Sequence, residues 1–270
     1  GKEEYAIAFD KDGGVAWETK LGPVHEDKAV NNFSYGPNAM PAVGAGHVFA
    51  VTSKGLLACL TTKGEVVWKK DLPKEMKGSI NNIGWGDETK GVGSGYCWTP
   101  VVVGDKLLVA PGGPDGLLAL LEAKTGKQVW RSTAIKEEAT YASPTVGKVG
   151  GVEMAFYVTQ TGFHAVSMKD GSSIYKWVRD QPYPDIVCPA PAVVGDLVHF
   201  SVGNGAEGML FKWDGKTFKS VWEDKKEIAN RQGGILIDAE KLQHTVKILM
   251  IALEASLSFA PLPEKAVTYR

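Results

Sequence analysis

Three shortages set the first limits. The chain has only three cysteines in 270 residues, Cys59, Cys97 and Cys188. They are odd in number, far apart and without metal-ligand spacing, so they suggest neither a zinc site nor a dense disulfide framework. Small, mostly buried apolar side chains are the expectation for them. Charge excess is also missing: 30 Lys and Arg stand against 31 Asp and Glu, for a formal net charge of −1. That balance removes the electrostatic case for a nucleic-acid partner or an anionic membrane. Finally, no apolar run reaches the roughly 18 residues of a membrane span, and the opening GKEEYAIAFD has no signal-peptide pattern. Those opening residues read instead as the middle of a repeat.

Glycine, proline and tryptophan are plentiful, at 32, 14 and 8 residues. Glycine-containing turns that separate short aromatic and β-branched runs predict an all-β chain. Self-similarity then gives the organisation. AIAFDKDGGVAW (6–17), LACLTTKGEVVW (57–68), LLEAKTGKQVW (120–130) and AVSMKDGSSIY (165–175) each place an aromatic residue four positions after a glycine. The pairs are Gly13/Trp17, Gly64/Trp68, Gly126/Trp130 and Gly171/Tyr175, and a weaker fifth copy, LFKWDGKTFKSVW, ends at Trp222. A second pattern precedes each hairpin: proline, an apolar run and a Gly-centred turn, at 40–51, 99–110, 143–151 and 190–202. Proline is tolerated at the first position of a strand, and Gly104-Asp105 and Gly195-Asp196 suit tight hairpin turns. One unit therefore reads as four antiparallel strands, the size of a propeller blade. A large flat side chain at a fixed place can fill the seam between two such sheets. That predicts a structural role for the repeat aromatics Trp17, Trp68, Trp130, Tyr175 and Trp222.

AKTGKQVW at 123–130 closely matches "AxDxxTGxxxW", and these residues resemble the PQQ-like (quinoprotein-type) β-propeller repeat family. The order of segments is similar to planctomycete-type PQQ-binding-like β-propeller proteins and, more distantly, to the outer-membrane assembly lipoprotein BamB. Trp17, Trp68 and Trp130 are followed by Glu, Lys and Arg, unlike the Trp-Asp pair of WD repeats. The resemblance covers about residues 1–238 and implies about five blades plus a partial one, expected to belong to a larger ring. The first unit lacks its Pro-strand. After Asp238 the repeat fails, and 239–270 read as a divergent tail, either helical or artefactual.

The resemblance also brings a chemical alternative, a PQQ-dependent quinoprotein dehydrogenase. In that class the quinone lies between a tryptophan and a disulfide of adjacent cysteines, beside a calcium ion that needs about 6–8 oxygen ligands. The sequence shows no adjacent cysteines and no carboxylate constellation. Asp10, Asp12, Asp105, Asp170 and Asp196 fall in turns, and Glu137-Glu138 and Glu223-Asp224 read as solvent-facing. His25, His47, His164, His199 and His244 lack zinc spacing, and PGGPDG at 111–116 joins two strands rather than a strand and a helix. No catalytic residue, metal site or cofactor is expected. If a ligand site exists, the segments before each Pro-strand should converge on the channel, with Asn38, Trp98, Tyr141, Ser143, Asn230 and Arg231 as candidates. The resulting expectation is a non-catalytic scaffold for a protein or extended polymer, periplasmic or extracellular by resemblance alone. A quinoprotein oxidoreductase and a purely structural module of a longer chain are the alternatives.

Overall fold

The computed structural model describes residues 3–24, 38–80, 95–181, 187–202 and 207–224. The first unit is a lone hairpin, β1 (Glu3–Phe9) and β2 (Val15–Pro23). The second contains β3 (Ala42–Gly44), β4 (His47–Val51), β5 (Leu56–Thr61) and β6 (Val66–Asp71), followed by the one-turn helix α1 (Leu72–Met76). The third is β7 (Val101–Val103), β8 (Lys106–Val109), β9 (Ala119–Glu122) and β10 (Gln128–Arg131). The fourth is β11 (Thr145–Val149), β12 (Val152–Val158), β13 (Gly162–Ser167) and β14 (Ser173–Val178). The fifth is β15 (Ala192–Val194), β16 (Leu197–Val202), β17 (Glu207–Trp213) and β18 (Phe218–Asp224).

Each four-stranded unit is an antiparallel meander with its strands in chain order. The sequence explains why. Pro41, Pro100, Pro144 and Pro191 stand directly before the first strands, where no interior ladder donor is lost. Gly104 and Gly195, at φ +59° and +56°, close the first hairpins of units three and five in the left-handed conformation that such turns require. The hairpin between the last two strands carries a register shift beside its turn in all five units, a shared β-bulge. The partial sixth blade and the tail expected from the sequence lie outside the described residues.

The core lies between the sheets. One apolar cluster joins units one and two through Ala6, Leu21, Ala58 and Leu60. A second runs through units two to four, and a third, built on Phe156, Phe163, Phe200 and Phe211, joins units four and five. A repeated joint fastens the sheets on top of this packing. Trp17 donates its indole N–H to the Thr62 carbonyl at 3.0 Å, Trp68 to Ala123 at 3.0 Å, and Trp130 to Met168 at 2.9 Å. Each ring lies on the glycine of the next unit's last hairpin turn. A Cβ at Gly64, Gly126 or Gly171 would come within 2.6, 3.0 and 2.6 Å of the respective ring, so the space exists only because the residue is glycine.

The joint changes between units four and five. Tyr175 stands in the tryptophan's place and packs with Phe211 and Phe218, at ring-centre distances of 5.7 and 5.5 Å. Trp177 joins it against Phe200 and Phe211. A contact in the opposite direction completes the seam. Trp213 of the fifth unit reaches back over Gly150 of the fourth, whose amide donates to Asp196 at 3.1 Å. Here the aromatic cluster carries the load that the indole joint carries elsewhere.

The first strands of neighbouring units meet at the hub. Gly44 faces Val102, and Gly147 faces Val193 in the same way. Ser143 Oγ accepts from the Thr99 amide at 2.9 Å, and Thr145 Oγ1 donates to the Pro191 carbonyl at 2.7 Å.

Trp130 is buried and fully engaged in its joint, so Trp130→Ala should cost about 3–5 kcal/mol in denaturant unfolding. Trp130→Phe should cost less. Gly171→Ala should destabilise the same joint from the opposite side, through the displaced ring.

Candidate functional site

The segments that lead into the hub strands share a register. Asn38, Cys97, Tyr141 and Cys188 each lie three residues before the proline of their unit. The structure brings three of them together. The Cys97 thiol hydrogen-bonds with the Asn38 side chain and has Cys188 within electrostatic reach. Its sulfur also donates to the Gly95 carbonyl at 3.4 Å. Burial above all pushes the Cys97 thiol up to about 12, and the neighbouring Cys188 adds to the shift. Cys59 is buried and raised to about 11 by the same cause. Thiols held this high stay protonated at neutral pH and are poor nucleophiles and poor metal ligands.

The other sequence candidates occupy varied settings. Asn38 is exposed, and Tyr141 is half-buried and makes contacts of its own. Ser143 is half-buried and bonded to the neighbouring unit. Trp98 is fully buried, edge-on to Tyr96 at 5.9 Å, so its ring offers no open face to a ligand. Asn230 and Arg231 lie outside the described residues. Of the repeat aromatics, Trp17, Trp68 and Trp130 are committed to the joints, Tyr175 to the aromatic cluster, and Trp222 lies 6.1 Å from His199.

Sequence reasoning missed the buried polar groups at the rim. Glu137, read from the sequence as solvent-facing, is 17% exposed at its side chain, forms an ion pair with Lys176 at 3.2 Å and lies 3.3 Å from His164 Nε2. Thr161 Oγ1 donates to it at 2.5 Å. Burial disfavours its charge. Hydrogen bonds from His164, Thr159 and Thr161 and the charge of His164 outweigh that burial and hold the carboxyl far below the usual glutamate range. Arg131 is buried and ties down the PGGPDG loop, donating to the Gly116 carbonyl from Nε at 2.9 Å and from Nη2 at 2.6 Å, and to Gly112 at 2.7 Å. Glu4, also buried, accepts from the Ser53 amide and hydroxyl and ties unit one to unit two. The alternating EEYAIAF of β1 places Glu4 on the inward face with Ala6, which is the one signal that could have found it.

The parts of a quinone site are not assembled by the described residues. Their cysteines are free and separated in sequence, and among them no three His, Cys, Asp or Glu side chains gather to hold a metal ion.

With the geometry in place, the comparisons can be stated. The family of PQQ-like repeats described as outer membrane protein assembly factor BamB matches residues 2–245. The chain belongs to this family. BamB from Moraxella catarrhalis is 16% identical, with a TM-score of 0.52 over 83% of this chain and 58% of that chain. A quinohemoprotein alcohol dehydrogenase from Comamonas testosteroni is 16% identical, with a TM-score of 0.50 over 79% of this chain and 37% of that one. The C-terminal WD40 domain of Sif2 is 12% identical at a TM-score of 0.50, over 79% and 50%. At these identities the likenesses establish the PQQ-like β-propeller fold, and the chain spans less than two thirds of each of these structures. No curated protein sequence matches the chain.

Two groups should make the stability of this BamB-family chain sensitive to acid. Burial lowers His199 from 6.5 to about 4, so between those values the unfolded chain binds a proton that the folded chain does not. Stability should be full above about pH 6.5 and fall as the pH drops toward 4. Glu137, depressed below its ordinary 4.5, adds a further loss beneath that pH. In unfolding measured against pH, His199→Phe should remove the first decline and Glu137→Gln should flatten the second.

Proposed function

We propose that the chain is a non-catalytic β-propeller scaffold that holds a protein or an extended polymer outside the cytoplasm, in the periplasm or at the cell exterior. The observation that carries this reading is the open inner edge of the second unit. Among the described residues β3 pairs only with β4, and beside it Met40 and Val43, at 71% and 73% exposure, are the most exposed large hydrophobics. Asn38 stands next to them. An unpaired strand edge flanked by apolar side chains suits an extended polypeptide, which can add main-chain hydrogen bonds and seat alternate side chains. The family description, an outer membrane protein assembly factor, supports a protein partner. The formal net charge of −1 gives nucleic acid no electrostatic hold. Among the described residues no helix is long and apolar enough to cross a membrane.

The second reading is a quinoprotein dehydrogenase, favoured by the fold shared with the Comamonas enzyme. The raised Cys59 and Cys97 thiols and the scattered carboxylates of the described residues weigh against it.

Two measurements separate these readings. An immobilised, reduced and carboxymethylated unfolded protein, used as the polypeptide probe in surface plasmon resonance, should bind the native chain. Met40→Glu with Val43→Glu should weaken that binding about tenfold, the equivalent of about 1.4 kcal/mol. Absence of binding, or binding indifferent to the two substitutions, would remove the proposed edge. In a thermal-shift series, PQQ plus Ca2+ should leave the melting temperature unchanged. A ligand at 100 times its Kd would add about 2.7 kcal/mol, so a clear calcium-dependent rise would favour the dehydrogenase.

A further inference from the structure

We draw no further inference here: the strongest candidate, the hub cluster of Asn38, Cys97 and Cys188 ahead of the inner strands of units two, three and five, belongs to the site already described, and nothing in the structure shows what ligand its two thiols would take.

Discussion

An indole seated on a glycine turn is the contact on which this architecture depends. Each sheet is made from its own consecutive strands, and no strand crosses from one described sheet to another. Neighbouring sheets are therefore held by side chains and by backbone bonds between their connecting segments, such as the Tyr96 amide to Ser53 and the Ala139 amide to Ser79. The joint supplies what general apolar packing does not, a fixed depth and a fixed direction. Glycine sets the depth, because any Cβ would strike the ring, and the indole N–H sets the direction by ending on a single backbone carbonyl. Where tyrosine replaces tryptophan at position 175, a cluster of stacked and edge-on phenylalanines takes over, with Trp213 reaching back from the other side. The seam survives the change because direction there comes from shape, whereas elsewhere it comes from a hydrogen bond.

The polar interior serves the same end. Arg131, Glu4 and Glu137 are buried or nearly so, and each is spent on backbone groups or on partners in an adjoining segment. Such groups are costly to leave unpaired, so they fix the rim loops in one arrangement. Burial raises the Cys97 thiol near the hub and the Cys59 thiol within β5. Among the described residues, chemistry-bearing side chains hold the frame together, and the surfaces left open are strand edges and sheet faces.

Much of the fold was legible because its signals are local. Proline before a short apolar run, Gly-Asp at a tight turn, and an aromatic four residues after a glycine each act within a few residues, and the strands fall where those signals put them. Partners across a seam were far less legible. Nothing near Glu137 in sequence announces Thr161, His164 or Lys176, so a pair of glutamates reads as solvent-facing. Asn38, Cys97 and Cys188 could be placed before their strands, but their meeting depends on how three sheets converge. Trp98 reads as a channel residue until the packing against Tyr96 is seen. Helix α1 had a readable cue in Asp71, whose side chain accepts from the Lys74 amide while its own amide donates to Glu75.

The strict chain order of the strands has a consequence for how the molecule comes apart. Among the described residues each sheet packs mainly on the sheets before and after it, so the sequence separation of contacting residues stays near the length of one or two repeats. Stability is then close to a sum of unit terms and nearest-neighbour terms, as in a one-dimensional array. Cooperativity in such an array is only as long as its weakest coupling allows. Denaturation can start at one seam and advance unit by unit, and damage there is felt first by the two sheets that share it.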